Sequence, residues 1–280
     1  MAKFAPADPD LGGQLRAIDH PHQIALALLA YVLAKPKSWI LAHPETHLSA
    51  AQKKALDALL LRLEAGEPLP YLLGNQEFFG LNFAVSPVVL IPRPETELLV
   101  QKALDWLTAN PHLRRGLDVG TGSGCIAISL VSNCPDLCMI ASDISTDALA
   151  LAQQNANLHN VHDRIRFVEC DLIPADPGKI DFLCANLPYI PSHKLAQVNS
   201  LPWEPSLALD GGEDGLRLFR KLFTKIRQLS SPPSLILLEI EDSLGKPSLE
   251  LCRQFFPTSD IHLLQDLSGR DRLLRIEINA

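Results

Sequence analysis

The sequence predicts an α/β protein: a mostly parallel sheet covered by helices on both faces, preceded by a small helical domain. Three observations predict it. From about Glu95 onward, short apolar runs alternate with helix-length stretches, the pattern of repeated strand–helix units. Those runs are apolar throughout rather than at every second residue, as strands buried on both faces require. The first third has helical spacing and is set apart by a stiff segment holding Pro87, Pro92 and Pro94. The expected division is a helical domain over 1–75, a hairpin and proline-rich linker over 76–94, and an α/β domain over 95–280.

The elements follow in order. Ile24 opens a stretch that is apolar nearly all round, the mark of a well-buried helix. Ser49 and Gln52 form a capping box for a helix from Ala50 to Ala65, with Gly66 placed to end it. Leu56, Leu59, Leu60 and Leu63 share one face of that helix. Phe78 to Val85 reads as a short hairpin turning through Gly80-Leu81-Asn82. Beyond the linker, helices are expected over about 95–109, from Cys125, over 146–158 and over 216–229. Strands are expected at Gly116–Val119, Cys138–Ser142, Ile165–Glu169, Ile180–Ala185 and Leu235–Ile240. Ile261–Leu264 and Leu273–Ile278, joined by a Ser268-Gly269 turn, form a closing antiparallel pair.

The chain has 280 residues, 47% of them hydrophobic and 20% charged, which is ordinary for a globular protein with a sizeable core. The net charge is −7. Neither residues 1–90, with 7 basic and 8 acidic side chains, nor residues 91–280, with 18 and 24, has a basic surplus. Stable nucleic-acid binding is therefore not expected. The six cysteines form no Cys-x-x-Cys pair and have no histidines at zinc spacing, so no metal and a reducing cytoplasm are expected. Asp8, Pro9 and Asp10 interrupt any apolar start, and no apolar run is long enough for a membrane span. A monomer away from membranes is the expectation.

Asp118-Val-Gly120-Thr121-Gly122-Ser123-Gly124 lies directly after a strand and directly before a helix. Glycines there let the backbone turn sharply and let a ligand approach where a Cβ would stand. Asp143 follows about 20 residues later at the tip of the next strand, where a carboxylate can accept from ribose hydroxyls. Asp171 and Leu172 end the third strand, placed for an adenine amino group and its ring. Taken singly, these are a tight turn, a helix N-cap and a turn aspartate; at three successive strand ends they form a cofactor site. The spacing is Gly-x-Gly-x-Gly rather than the dinucleotide Gly-x-Gly-x-x-Gly, so S-adenosylmethionine is the expected cofactor. Asp118 is placed to orient its cationic amino-acid tail.

Asn186-Leu187-Pro188-Tyr189 ends a later strand. An amide or aromatic amine is a poor nucleophile, because its nitrogen lone pair is delocalised. The Asn186 side-chain carbonyl and the Leu187 backbone carbonyl can accept its two N–H bonds and turn the lone pair toward a methyl donor. Pro188 fixes φ and removes a competing donor. Tyr189 offers a flat face to a planar group. These four are the candidate catalytic and substrate-binding residues, with Asn186 shared with the cofactor site.

The chain resembles the HemK/PrmC family of peptide chain release factor N5-glutamine methyltransferases. The likeness runs from about residue 20 to the end. It rests on Pro70-Tyr-Leu-Leu-Gly74, Glu77-Phe-Phe-Gly80, Val85-Ser-Pro87, Leu90-Ile-Pro-Arg-Pro-Glu-Thr-Glu97, the Asp118–Gly124 loop and Asn186–Ile190. Trp203-Glu-Pro, Gly211-Gly-x-x-Gly215 and Asp266-Leu-Ser-Gly-Arg-Asp-Arg272 match as well. The resemblance implies a Rossmann-like class I S-adenosylmethionine-dependent methyltransferase with a seven-stranded sheet. It also implies an N-terminal domain that docks the release factor, and transfer to the glutamine of a Gly-Gly-Gln motif. It places Gly120–Gly124, Asp143, Leu172 and Asn186 around the cofactor and Asn186–Tyr189 around the glutamine. Two departures stand out: Leu187 where the family usually has proline, and Glu239-Ile-Glu241 where it has Glu-x-Gly. Arg93 and Glu97 have two readings, cofactor contacts or pairing across the linker.

Two rival functions are open to the same motifs. As written, Asn-Leu-Pro-Tyr is also the tetrapeptide of ribosomal RNA adenine dimethyltransferases, which suits a nucleic-acid adenine N6-methyltransferase. The acidic charge and the linker motif weigh against it. A non-catalytic S-adenosylmethionine-binding protein is the second rival, and intact Asn186 and Tyr189 weigh against that. Gly12-Gly13-Gln14 copies the target motif by chance, and His20-x-His22 reads as helix-start chemistry.

Overall fold

A computed structural model describes residues 21–197 and 202–278. Gly12–Gln14 and His20 lie outside the described residues. The chain separates into two compact units, Met1–Gly74 and Asn75–Ala280.

The first unit is helical: α1 (Pro21–Leu33), α2 (Lys37–Ala42), α3 (Ala50–Glu64) and α4 (Leu69–Leu73). The capping box at α3 is formed in both directions, with Gln52 N–H on Ser49 Oγ and Ser49 N–H on Gln52 Oε1. Leu28, Ile40, Leu56, Leu59, Leu60 and Leu72 make its core. Gly74 ends α4 in the left-handed region.

The second unit opens with a hairpin, β1 (Asn75–Phe78) and β2 (Leu81–Ala84). Its strands begin earlier than the apolar residues suggest, and its turn is Phe79-Gly80, not 80–82. Both turn residues have positive φ, 50° and 74°, the geometry that matches strand twist in a two-residue loop. Phe78 and Phe83 are buried in this unit's main core beside Leu99, Ala103 and Trp106 of α5 (Glu97–Ala109).

A seven-stranded sheet follows. Its strands are β3 (Arg115–Val119), β4 (Cys138–Asp143), β5 (Ile165–Glu169), β6 (Phe182–Ala185), β9 (Leu235–Glu239), β10 (Asp260–Gln265) and β11 (Asp271–Glu277). The order is β10-β11-β9-β6-β3-β4-β5. β11 runs antiparallel to both its neighbours, and the other pairs are parallel. α6 (Cys125–Asn133), α7 (Thr146–Leu158), α8 (Arg217–Arg227) and α9 (Gly245–Phe255) complete the layers. All residues of β6 and β9 are buried, so the apolar runs do mark strands covered on both faces. One core lies under α5 and α6, the other under α8 and α9. A two-residue pairing, β7 (Ile190–Pro191) with β8 (Asp210–Gly212), sits beyond the sheet's carboxyl edge. No helix of the described residues is long and apolar enough to cross a membrane.

Phe83→Ala should leave a large void in the core under α5 and α6 and cost about 3–5 kcal/mol of unfolding free energy. Denaturant unfolding of the full chain checks this; a loss under ~1 kcal/mol would mean that the hairpin does not stabilise the α/β unit.

Candidate active site

The chain leaves β3 toward β4 on one side and returns to β6 on the other, so the crossovers diverge between β3 and β6. Open α/β sheets bind ligands in the crevice at such a point. A cavity of about 450 Å³ lies there, lined by Gly120–Ser123, Asp143, Asp171, Leu172 and Asn186–Pro188. Val88–Arg93, Thr96, Ile144 and Pro205–Ala208 also line it. Gly124 and Tyr189 are not part of the wall.

The glycine loop is anchored at several points. Gly120 and Thr121 N–H both bond the Ser142 carbonyl, at 2.8 and 2.9 Å. Gly122 N–H bonds Asp143 Oδ2 at 2.9 Å. Asn155 of α7, fully buried, donates to the Ser123 carbonyl and exchanges two bonds with Ala84 of β2. Asn155 thereby fastens both the loop and the hairpin, and no local motif announces it. Gly124 has φ +81°, and a Cβ there would stand 2.9 Å from Ile128 Cδ1 and 3.2 Å from Ala152 Cβ. It packs closely against α6 and α7 beneath the loop.

Asp118 does not reach the cavity. It is fully buried, and its Oδ2 accepts from Thr121 Oγ1 at 2.6 Å and Ala127 N at 3.3 Å. It pins the loop to the start of α6 from below, not a ligand's tail from the side. Its Oδ1 has no hydrogen-bond partner among the described residues. Burial is the main cause that pushes its carboxyl up to about 7, against the Thr121 and Ala127 hydrogen bonds.

Asp143 is positioned by Ser145 N–H on Oδ1 and Gly122 N–H on Oδ2, with lone pairs left for hydroxyl groups. Asp171 pairs with Lys221 of α8 on the rim. Leu172 has φ 69°, a left-handed conformation unusual for a side chain with a Cβ, and its carbonyl is held by Ser142 Oγ at 2.6 Å. The thiols on the wall, Cys125 and Cys170, are pushed up by burial, Cys125 to about 12, so neither supplies a thiolate.

At the acceptor end, Asn186 Nδ2 donates to Thr96 Oγ1 at 3.1 Å. Leu187 is buried, and its Cδ2 lies 3.2 Å from where a Cβ on Gly120 would stand. Tyr189 packs on the core under α8 and α9, and burial pushes its phenol up, so it stays protonated. A Cβ at Gly211 would lie 2.7 Å from the Tyr189 backbone, which explains a glycine in β8.

The linker residues have clear partners. Arg93 Nη2 lies 2.7 and 2.6 Å from the two oxygens of Glu204, a buried carboxylate that also accepts from Ile91 N. Glu97 accepts from Phe79 N at 2.8 Å. Both pair within the protein, and Arg93 also lines the cavity. Arg93 ties the 203–208 segment over the cavity to the linker.

Residues 13–74 match the PrmC N-terminal domain family, and residues 95–200 match the methyltransferase small domain. The release factor glutamine methyltransferase of Bordetella pertussis is 37% identical over 277 residues, covering 98% of this chain and 97% of that one. That of Moorella thermoacetica is 38% identical over 260 residues, covering 91% and 90%. The chain belongs to the release factor glutamine methyltransferase family. Solved structures show the fold as well. The hMettl16 catalytic domain in complex with the MAT2A 3'UTR hairpin 6 has a TM-score of 0.57, covering 83% of each chain at 18% identity. The N-terminal domain of human METTL16 in complex with SAH has a TM-score of 0.52, covering 72% and 77% at 20% identity.

Within this release factor glutamine methyltransferase fold, the Gly120–Ser123 backbone, Asp143 and Leu172 could hold a nucleoside-like cofactor, and Asn186 stands beside them.

Two outcomes test these anchors. Asp118 binds more protons folded than unfolded between about pH 4 and 7, so its contribution favours folding at low pH and fades as pH rises through 7. Asp118→Asn should therefore lose less stability than the parent between pH 6 and pH 8, measured by denaturant unfolding at both pH values. Arg93→Ala takes a hydrogen bond from each Glu204 oxygen, leaving the buried carboxylate with the Ile91 N–H among its described partners, and should cost about 1–3 kcal/mol. Faster proteolysis near residues 203–208 should accompany it.

Proposed function

We propose that this chain transfers a methyl group from S-adenosylmethionine to the side-chain amide nitrogen of the glutamine in the Gly-Gly-Gln motif of peptide chain release factors. The observation that carries it is the orientation of Asn186. Its NH2 is engaged by Thr96, so its carbonyl oxygen is left for an incoming N–H, at the edge of a cavity that also holds the glycine loop.

S-adenosylmethionine, when bound, supplies an electrophilic methyl group. The residues present suit it. Positive φ at Gly120 and Gly122 bares the loop backbone, and a Cβ at Gly122 would meet no protein atom within 4 Å. Asp143 accepts ribose hydroxyls. Asp171, with one oxygen on Lys221, offers the other to the adenine amino group, and Leu172 packs on the ring. Gly124 contributes from below by seating the loop.

Asn186 Oδ1 and the Leu187 carbonyl accept the two glutamine N–H bonds and hold the nitrogen with its lone pair directed into the cavity. Pro188 keeps that carbonyl in place by its fixed φ, and Tyr189 holds the loop's far end against the core. Positioning of this kind is worth roughly 7–11 kcal/mol. Carbonyl dipoles aimed at the charge that develops on nitrogen add to it. No strong base is required at the nitrogen, whose proton leaves after transfer. The acting species is a cytoplasmic monomer that meets release factors transiently, its helical N-terminal unit serves docking, and its net charge of −7 gives it no lasting hold on nucleic acid.

The test is transfer of tritiated methyl to release factor, to a Gln→Ala release factor and to ribosomal RNA. Label on the intact release factor alone is the expected result; label on RNA, or on the Gln→Ala protein, would refute it. Asn186→Ala should abolish transfer while cofactor affinity, read by calorimetry, falls only a few-fold. Turnover within a few-fold of the parent would exclude the acceptor role of Asn186.

A further inference from the structure

Glu239 ends β9 at the carboxyl edge of the sheet. β9 pairs with β6 in the register Ala185↔Leu238, so the residues that follow, Asn186 and Glu239, emerge side by side. Glu239 is 3% exposed and forms none of the ion pairs found among the described residues. Arg272, the cation that most eases its charge, is committed to Asp266 at 2.9 Å. Glu239 Oε2 makes no hydrogen bond among the described residues. The side chains that lower the cost of its charge by hydrogen bonding are Thr96 and Asn186. An acid this deep costs stability, and costs of that kind are retained at functional sites.

The hydrogen-bond directions give the purpose. An ionised carboxylate can only accept. Thr96 has one hydroxyl hydrogen. If Glu239 takes it, Thr96 Oγ1 must act as an acceptor toward Asn186, and Asn186 must present Nδ2, as it does at 3.1 Å. The Asn186 carbonyl is then the end that faces the cavity. With a group that can donate at 239, Thr96 can turn its hydrogen toward Asn186 and the amide can flip, facing the glutamine NH2 with another NH2. We propose that Glu239, acting through Thr96, is the positioning residue that fixes the amide orientation of Asn186 for its acceptor. This rests on the glutamine acceptor argued under Proposed function.

Burial raises the Glu239 carboxyl to about 7, opposed first by Thr96; Glu95 raises it, while Arg272 and Asn186 lower it. Tyr189 and Cys125 also feel its charge, and both stay protonated near neutrality. The ionised form is the orienting one, so acceptor positioning strengthens as pH rises through about 7.

Two readouts on the full chain test this. In the first, the side-chain amide 15N resonance of Asn186, assigned by its loss in Asn186→Asp, is followed from pH 6 to 8 with S-adenosylhomocysteine present. The expected result is a titration centred near 7 that vanishes in Glu239→Gln. In the second, turnover on release factor is compared across variants. Glu239→Gln and Thr96→Val should each lower kcat about 10–100-fold, with S-adenosylhomocysteine affinity within twofold of the parent. Thr96→Ser, which keeps the hydroxyl, should stay within threefold. The parent kcat should rise with pH through 7, and the Glu239→Gln profile should be flat. An Asn186 resonance indifferent to pH and to both substitutions, or full kcat in Thr96→Val, would overturn the proposal. An Asn186 amide that responds as described, in a protein that methylates no release factor, would uphold the positioning and refute the glutamine acceptor instead.

Discussion

The register of one strand pair governs the site. β3 lies against β6 with Val119 opposite Ala185, and both strands end there. Gly120 and Asn186 therefore leave the sheet side by side, one into the glycine loop and the other into the acceptor loop. A slip of one residue would turn each side chain of β6 to the opposite face, exchanging Phe182 and Cys184 in one core with Leu183 and Ala185 in the other. The two cores enforce the register, and the register brings the two loops together.

The same edge carries an energetic tension. Asp118 and Glu239 are carboxylates buried among apolar strands, each with one oxygen unsatisfied. A core built only for stability would hold neither. Both sit where a strand gives way to a loop that must keep one shape. Asp118 spends its bonds on Thr121 and Ala127 and so fixes how the glycine loop enters α6. The backbone at Leu172, held left-handed by Ser142, is another local cost at the same edge. Asp118, Glu239 and the left-handed Leu172 all lie at the carboxyl edge of the sheet.

Much of this was legible in the chain, for physical reasons. Strands buried on both faces declare themselves as unbroken apolar runs, and Ser49 with Gln52 declares a helix start. Gly120–Ser123, Asp143, Leu172 and Asn186–Pro188 gather on one cavity because strand ends in a parallel sheet gather. What escaped is non-local or masked. α9 begins Gly245-Lys-Pro-Ser, a polar start with a proline that hides the apolar Leu251 and Cys252 behind it. β7 and β8 are too short for any periodicity. The bond of Arg93 to Glu204 spans 111 positions, and no local rule pairs them. Asn155 lies mid-helix, where only the fold shows it holding a hairpin and a loop at once.

Leu187 looked like the weak letter of its motif, a flexible residue in place of a ring. In the folded chain its branched end reaches the glycine loop at Gly120, filling space that a Cβ there would contest at 3.2 Å. Positions 67 residues apart in the chain thus share one small volume. A mutational path that enlarges one must shrink the other, so the two should show strong epistasis. Exchanging either loop alone between relatives would meet a penalty that exchanging both together avoids.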